Sequence, residues 1–198
     1  MNALRRPSAP LGAAFLAVGL ALGALGCGEP PQGALSAQPA GPLPIWEGRQ
    51  RELFDDNLDP AAVGLSLDAG PSPRSDPFLR ERAQTGDIVS RFKVQTVTLD
   101  SMGDLQQYHL NLLVGRPTLA EARLPDTSVE LTIRTGAPAF AIVKSFDVRL
   151  RGQTFIGFVR KFQGVDGEPA LHWHLSADTE AVAASVKDAV ALRELTGS

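Results

Sequence analysis

The chain of 198 residues contains a single cysteine, Cys27. A disulfide needs two cysteines, so no bridge can form within the chain, and the folded part must be stabilised by its apolar core alone. The composition supports such a core, because apolar residues make up 43% of the chain and charged residues 21%, as in ordinary globular proteins. We therefore expect one globular domain with accessory segments.

Cys27 stands at the end of an apolar segment. The first ten residues hold Arg5 and Arg6 and no acidic residue, and residues 11–26 follow without a charged side chain. This apolar segment is shorter than the roughly 20 residues that a membrane-spanning helix needs. A basic start followed by a short apolar segment is typical of a secretory signal peptide.

The end of this segment, ALGC at residues 24–27, resembles the lipobox of bacterial lipoprotein signal peptides. The resemblance covers residues 1–27. It implies cleavage after Gly26, acyl chains on Cys27, and a lipid-anchored protein of the cell envelope. Because two or more acyl chains give stable membrane anchoring, no other membrane contact is needed.

Gly28 follows the cysteine where an Asp would favour retention in the inner membrane, so the resemblance favours the outer membrane, facing either the periplasm or the outside. The formal net charge is -3, and cleavage removes two basic residues. An acidic protein is not attracted to phosphates, which argues against nucleic acid as a partner. We expect the partners to be the membrane, through Cys27, and an envelope protein.

The prolines divide the rest of the chain. Nine of the 15 prolines lie in residues 28–77 and four in the longer stretch that follows. Residues 27–44, the lipidated cysteine and a Pro- and Gly-rich segment, are predicted to form a flexible tether, because they lack the apolar pattern that a core requires. Residues 45–77 are predicted to be a short helix, over residues 45–58, and loops. Residues 78–198 are predicted to be one β-rich domain.

Three acidic or amide side chains lie at or just after the end of the predicted short helix. Asp55, Asn57 and Asp59 have the spacing that begins an EF-hand calcium loop. Pro60 and Ser66 stand where that loop needs Gly and Glu, so no calcium site is predicted. We expect these side chains to lie on a solvated surface.

The domain shows alternation of apolar and polar residues, which indicates half-buried strands. Strands are predicted over residues 87–99, 107–114, 129–133, 153–162 and 170–175, and helices over residues 77–83, 138–150 and 179–195. Residues 138–150 space their apolar side chains as one helix face, although their Phe, Ile and Val also favour a strand. Gly157 in the middle of a strand predicts a bulge or a sharp bend.

The predicted order is three strands, a helix, two strands and a C-terminal helix. Over residues 85–176 this order is similar in topology to the OB-fold, a small five-stranded antiparallel barrel, as in secreted netrin-like domains. The resemblance implies a mainly β, α+β fold with a helix between the third and fourth strands. A flat antiparallel sheet backed by helices is the alternative.

Motifs of common enzyme classes, such as the nucleophile elbow, the phosphate-binding loop and the HExxH zinc motif, are not found in the sequence. The residues with metal-ligand spacing are His172 and His174, which lie two apart and therefore share one strand face. With a third ligand they are candidates for zinc or copper. The simpler interpretation is that Trp173 and its Leu neighbours take the inner face and leave both histidines outside.

We therefore expect a non-enzymatic, lipid-anchored envelope protein, without a cofactor, that serves as a binding or assembly module. One alternative is a metal-binding envelope protein that uses His172 and His174. Another is a domain that binds glycans or small ligands through basic side chains on the barrel strands. The candidates for that basic patch are Arg91, Lys93, Arg160 and Lys161.

Overall fold

The computed structural model describes residues 42–65, 71–103, 105–120 and 127–196. In chain order the elements are α1 (Gly48–Leu53), β1 (Asn57–Leu58), a 3-10 helix (Pro60–Val63), α2 (Pro77–Thr85), β2 (Ile88–Met102), β3 (Leu105–Val114), β4 (Ser128–Arg134), α3 (Ala139–Leu150), β5 (Thr154–Gln163), β6 (Pro169–Ala177) and α4 (Glu180–Thr196). Each predicted strand and helix of the β-rich domain is thus confirmed to within a few residues. The predicted signal peptide, its cleavage after Gly26, and Cys27 lie outside the described residues.

The described strands form one curled, half-barrel sheet in the order β1-β6-β5-β2-β3-β4, so the fold is mixed α+β. The five long strands pair antiparallel, whereas β1 pairs parallel with β6. The order β5-β2-β3-β4 is that of a Greek key, in which a fourth strand returns beside the first. The long connection from β4 to β5 contains α3. The sequence predicted five strands, and the sixth is the two-residue β1.

One face of the sheet packs against α3, and we call it the α3 face. The helix begins after Pro138, which has helical backbone angles, and ends before Gly152, whose φ of 79° is typical of a left-handed helix end. Phe140 packs its ring 5.5 Å from that of Tyr108 on β3. The helix, rather than the alternative strand, is correct because its apolar residues bury one face against the sheet. This core includes Phe92, Leu110, Leu112, Leu131, Ile133, Phe155, Trp173 and Leu175.

The opposite face, which we call the α4 face, is covered by α1, α2 and α4 over β5 and the start of β2. Its core includes Leu53, Phe54, Leu79, Ile156, Phe158, Phe162 and Val186. Strand β5 is apolar on both sides because it contributes to both cores. The two cores therefore share a central strand.

Gly157 does not form the predicted bulge, because it pairs in regular register with Ser90 on β2 and Leu175 on β6. Its lack of a side chain leaves room for the ring of Phe92, which a Cβ at this position would overlap. The register shift is in β2, between Val94 and Thr96. The glycine thus serves packing, and the irregular residue is elsewhere.

The helix predicted before the domain is shorter than expected, and a short strand takes the place of its end. The helix spans Gly48–Leu53 rather than residues 45–58, and β1 follows it at the sheet edge. Within the part of the chain that the structure describes, no helix has both the length and the apolar composition needed to cross a bilayer.

Candidate functional site

Residues 45–59, which we call the strap, lie along β6. The amide of Asp56 donates to the carbonyl of Trp173 at 2.9 Å, and the amide of Asp59 donates to that of Leu175 at 2.8 Å. Between them, Asn57 and Leu58 form β1, and Leu58 is fully buried in the α3-face core. The strap is therefore an integral edge of the sheet.

Two Asp–His pairs hold the strap to the last strand. The Asp55 carboxylate lies 2.8 Å from His174 Nδ1, and the Asp56 carboxylate lies 2.8 Å from His172 Nδ1. An ionised carboxylate only accepts hydrogen bonds, so each Nδ1 carries the shared hydrogen. The other oxygen of Asp56 accepts a hydrogen bond from the backbone amide of Trp173 at 3.2 Å. One carboxylate thus fixes both an imidazole and the backbone of β6.

Trp46 covers the outer pair. Its ring stacks on that of His172 with centroids 3.6 Å apart and planes within 5°, and its Nε1 donates to the carbonyl of Phe54 at 2.7 Å. Phe162 packs against the same imidazole in an edge-to-face arrangement, with ring centroids 5.6 Å apart. His172 is therefore enclosed by two aromatic side chains and one carboxylate.

His174 is the more buried of the two histidines, with 8% of its surface exposed. Burial lowers the pKa of His174; the hydrogen bond that its ring donates to Asp55 opposes this shift, and the charge of Arg82 adds to it. The guanidinium of Arg82 is itself buried, and its Nε donates to the carbonyl of Leu53 at 2.6 Å. Burial lowers the pKa of Arg82 too. Burial at this site therefore favours the neutral form of His174.

The prediction that both histidines lie outside is wrong. Of the residues predicted to lie on a solvated surface, Asp55 instead pairs with His174, whereas Asp59 accepts a hydrogen bond from the amide of Ala61 at the start of the 3-10 helix. His172 and His174 do point to the face of β6 opposite Trp173, but the strap covers this opposite face. A histidine whose Nδ1 donates to a carboxylate is common in metal sites. Among the residues that the structure describes, however, no three His, Cys, Asp or Glu side chains are grouped to hold a metal ion.

His109, the third histidine, lies on the side of β3 that faces away from α3, and 21% of its side chain is exposed. Its Nδ1 is 3.0 Å from Glu130, and its Nε2 is 3.3 Å from Asp100 and 3.0 Å from Gln107. Both carboxylates are largely exposed. This cluster bridges β2, β3 and β4 across a polar surface.

The four basic side chains considered for a ligand-binding patch do not lie together. Arg160 and Lys161 are adjacent on β5 and point to opposite faces. Arg160 donates to Gln50 of the strap at 2.8 Å, and Arg91 forms an ion pair with Asp178 at 2.9 Å. The structure therefore separates the predicted patch and uses two of its members in internal contacts.

A small cleft of about 240 Å³ lies between α2 and α4. Arg74 and Arg80 line one side, and Asp188 and Leu192 line the other. Its volume is below the roughly 300 Å³ at which ligand pockets usually begin, and its charges are of both signs. The cleft is lined by residues other than those of the Asp–His pairs.

The two histidines have partners that were not predicted from the sequence, namely Trp46, Asp55 and Asp56. More than 110 residues separate the members of each pair, so no local periodicity connects them. The available signal is that two consecutive acids in the strap match two histidines on one strand face. A double-faced strand such as β5 also indicates that both sides of the sheet are covered.

Comparison of the chain with protein families, curated proteins and solved structures finds no match.

Proposed function

We propose that this chain is a lipid-anchored protein of the bacterial cell envelope whose domain is a non-enzymatic binding or assembly module. The sequence of residues 1–27 supports the anchor, through the lipobox that ends at Cys27. Residues 28–44 supply a tether. The outer membrane is the proposed location, because Gly28 follows the cysteine.

The observation that carries this proposal is the attachment of the strap. The tether leads directly into the strap, and the strap is joined to β6 by two main-chain hydrogen bonds, two Asp–His pairs and the Trp46 stack. A domain held to a membrane by one tether needs a firm connection where the tether enters. Charge-assisted hydrogen bonds, which are roughly twice as strong as neutral ones, supply it here.

We further propose that the five long strands are an opened OB-like barrel. Their Greek-key order, with α3 between the third and the fourth long strands, supports this assignment. The order places β4 and β6 at the two ends of these five strands, where an OB barrel would close. In this protein the strap occupies the β6 edge instead.

The anchor is tested by expressing the full chain in a bacterium and fractionating the cells. We expect the protein in the outer-membrane fraction and a mature amino-terminal peptide that begins with acylated Cys27 in mass spectrometry. The Cys27→Ala variant is the control and should be neither acylated nor cleaved after Gly26. An unmodified Cys27 in the mature wild-type protein would contradict the proposal.

The binding role is tested by crosslinking in cells that express the lipidated protein, followed by purification and mass spectrometry. We expect one dominant envelope protein in the crosslinked product, and its loss in the Cys27→Ala control. The same profile in both samples would contradict a module that works at the membrane.

A further inference from the structure

Strand β4 ends the sheet opposite the strap, and within the described ranges no strand pairs with its outer side. The amide of Val114 donates to the carbonyl of Thr127, and the amide of Thr135 donates to that of Gln106. In an antiparallel ladder the bonded residues alternate, so Val129, Leu131 and Ile133 turn their backbone groups toward β3. The N–H and C=O groups of the residues between them point outward from the sheet.

These outward-bonding residues are Ser128, Glu130, Thr132 and Arg134, and their side chains are exposed. A charge on an edge strand often prevents pairing with another strand. Here Glu130 and Arg134 carry opposite charges and are spaced equally on either side of Thr132. The strand is thus charge-complementary to an antiparallel copy of itself.

We infer that β4 pairs with β4 of a second copy of this chain about a two-fold axis at Thr132. This register places Glu130 opposite Arg134 of the second copy, twice by symmetry, and Thr132 opposite its own equivalent. It also places Leu131 opposite Ile133 on the α3 face. Opposite charges and paired Thr side chains directly across two strands both stabilise a sheet.

The neighbouring register, about Leu131, satisfies the same backbone groups but not the charges. It places Glu130 opposite Thr132, and the diagonal neighbours of Glu130 are then both Glu130 and Arg134 of the second copy. Arg134 faces Ser128, so neither charge has an opposite charge directly across. Opposite charges directly across two strands stabilise a sheet, so the side chains favour the register about Thr132.

The position of the strap is compatible with this dimer. The strap borders β6 at one end of the sheet, and β4 is at the other. Pairing through β4 therefore joins two sheets into one and leaves both straps at the outer ends. Such an interface is isologous, so it closes at two copies and does not continue into a fibre.

A symmetric disulfide tests the register. In the full-length Cys27→Ala chain, purified in detergent, Thr132→Cys places two cysteines opposite each other at about 5.5 Å between Cα atoms, within the usual range for a disulfide. Mild oxidation should convert most of this variant to a covalent dimer. Ser128→Cys is the matched control, because it is exposed on the same strand and does not face itself. Equal crosslinking of both variants would overturn the inference.

Charge exchange tests the interface without a crosslink. Light scattering of the Cys27→Ala chain should show a dimer, and Arg134→Glu should weaken it about tenfold, since both ion pairs become repulsive. Adding Glu130→Arg to Arg134→Glu should restore the dimer. Lys93→Glu, which changes an exposed charge on β2, should leave it unchanged.

A wild-type chain that is monomeric at high concentration would overturn the inference, and so would a double variant that fails to recover. Thermal unfolding of each variant separates loss of the interface from loss of the fold. Because the chain used here lacks Cys27, these results do not depend on the proposed anchor.

Discussion

His174 couples the strap to pH. Burial lowers its pKa below the ordinary value of 6.5, so the unfolded chain binds the proton more tightly than the folded chain does. The stability that neutral His174 contributes is complete above that value. This contribution to stability is lost as the pH falls through 6.5 toward the lower pKa of the folded state.

We expect the free energy of unfolding to fall more in the wild type than in His174→Asn when the pH is lowered from about 7.5 to about 5.5. Asparagine can still donate to Asp55 but does not titrate in this range, so it is the matched variant. Urea unfolding at both pH values measures the difference. Parallel losses in the two proteins would show that His174 does not carry the pH dependence.

Gly157 is predicted to be intolerant of any side chain. Gly157→Ala places a Cβ against the ring of Phe92 and 2.8 Å from Leu175 Cδ2, both in the α3-face core. Overpacking of this kind costs about 1–3 kcal/mol of folding free energy. Gly103→Ala is the control, because nothing lies within 4 Å of its Cβ and only its positive φ is strained. Chemical denaturation should show a larger loss for Gly157→Ala than for Gly103→Ala.

At the scale of elements, the strap should open separately when its aromatic cover is removed. Trp46→Ala deletes the stack on His172 and the hydrogen bond to Phe54, which together stabilise the closed strap by about 2 kcal/mol. The amides of Asp56 and Asp59, which are bonded to β6, should then exchange with solvent about thirtyfold faster.

Hydrogen exchange measured by mass spectrometry or NMR reports these amides directly. Phe140→Ala is the control, because this side chain packs against Tyr108 on β3, which lies three strands away from β6 in the sheet. It should leave both amides protected unless the whole domain is destabilised. Unchanged exchange of the strap in Trp46→Ala would show that the stack does not hold it.

The long elements could be predicted from the sequence because their pattern is local. The alternation in β3 and β4, and the helical spacing in α3, each follow from burial of one face, and the structure confirms them. The strap could not be predicted in this way. Asp55 and Asp56 find their partners only when β6 is in place, and β1 is too short to show a period.

The outcome for the histidines has the same physical origin. Alternation in β6 correctly assigned Trp173 to one face, but it cannot say what covers the other. The α4 face is covered because α1, α2 and α4 bring their own apolar residues to it. Residues that a strand pattern places outside are exposed only where no second layer lies over them among the described residues, as at Glu130 and Thr132 on β4.

For the whole molecule, the two cores should unfold together. The strap supplies Leu58 to the α3-face core and Phe54 to the α4-face core, and β5 belongs to both. The chain holds two tryptophans, Trp46 in the strap and Trp173 in the α3-face core. Each single-tryptophan variant therefore reports on a different part of the same sheet.

The Trp173→Phe variant keeps only Trp46, so its fluorescence reports on the strap. In urea at neutral pH, we expect its midpoint of unfolding by fluorescence to coincide with its midpoint by circular dichroism. The same should hold for Trp46→Phe, whose fluorescence comes from Trp173. Comparison within each variant removes the effect of the substitution on stability. An early Trp46 transition would mean that the strap is a separate cooperative unit.

The pairing of the strap with β6 also sets an order of events during synthesis. Asp56 and the Trp173 amide that it holds are 117 residues apart, so the strap emerges long before its partner strand exists. Contacts of such separation form late, because the intervening chain must be ordered first. We therefore expect the segment nearest the tether to dock only after the chain has been made and folded through β6.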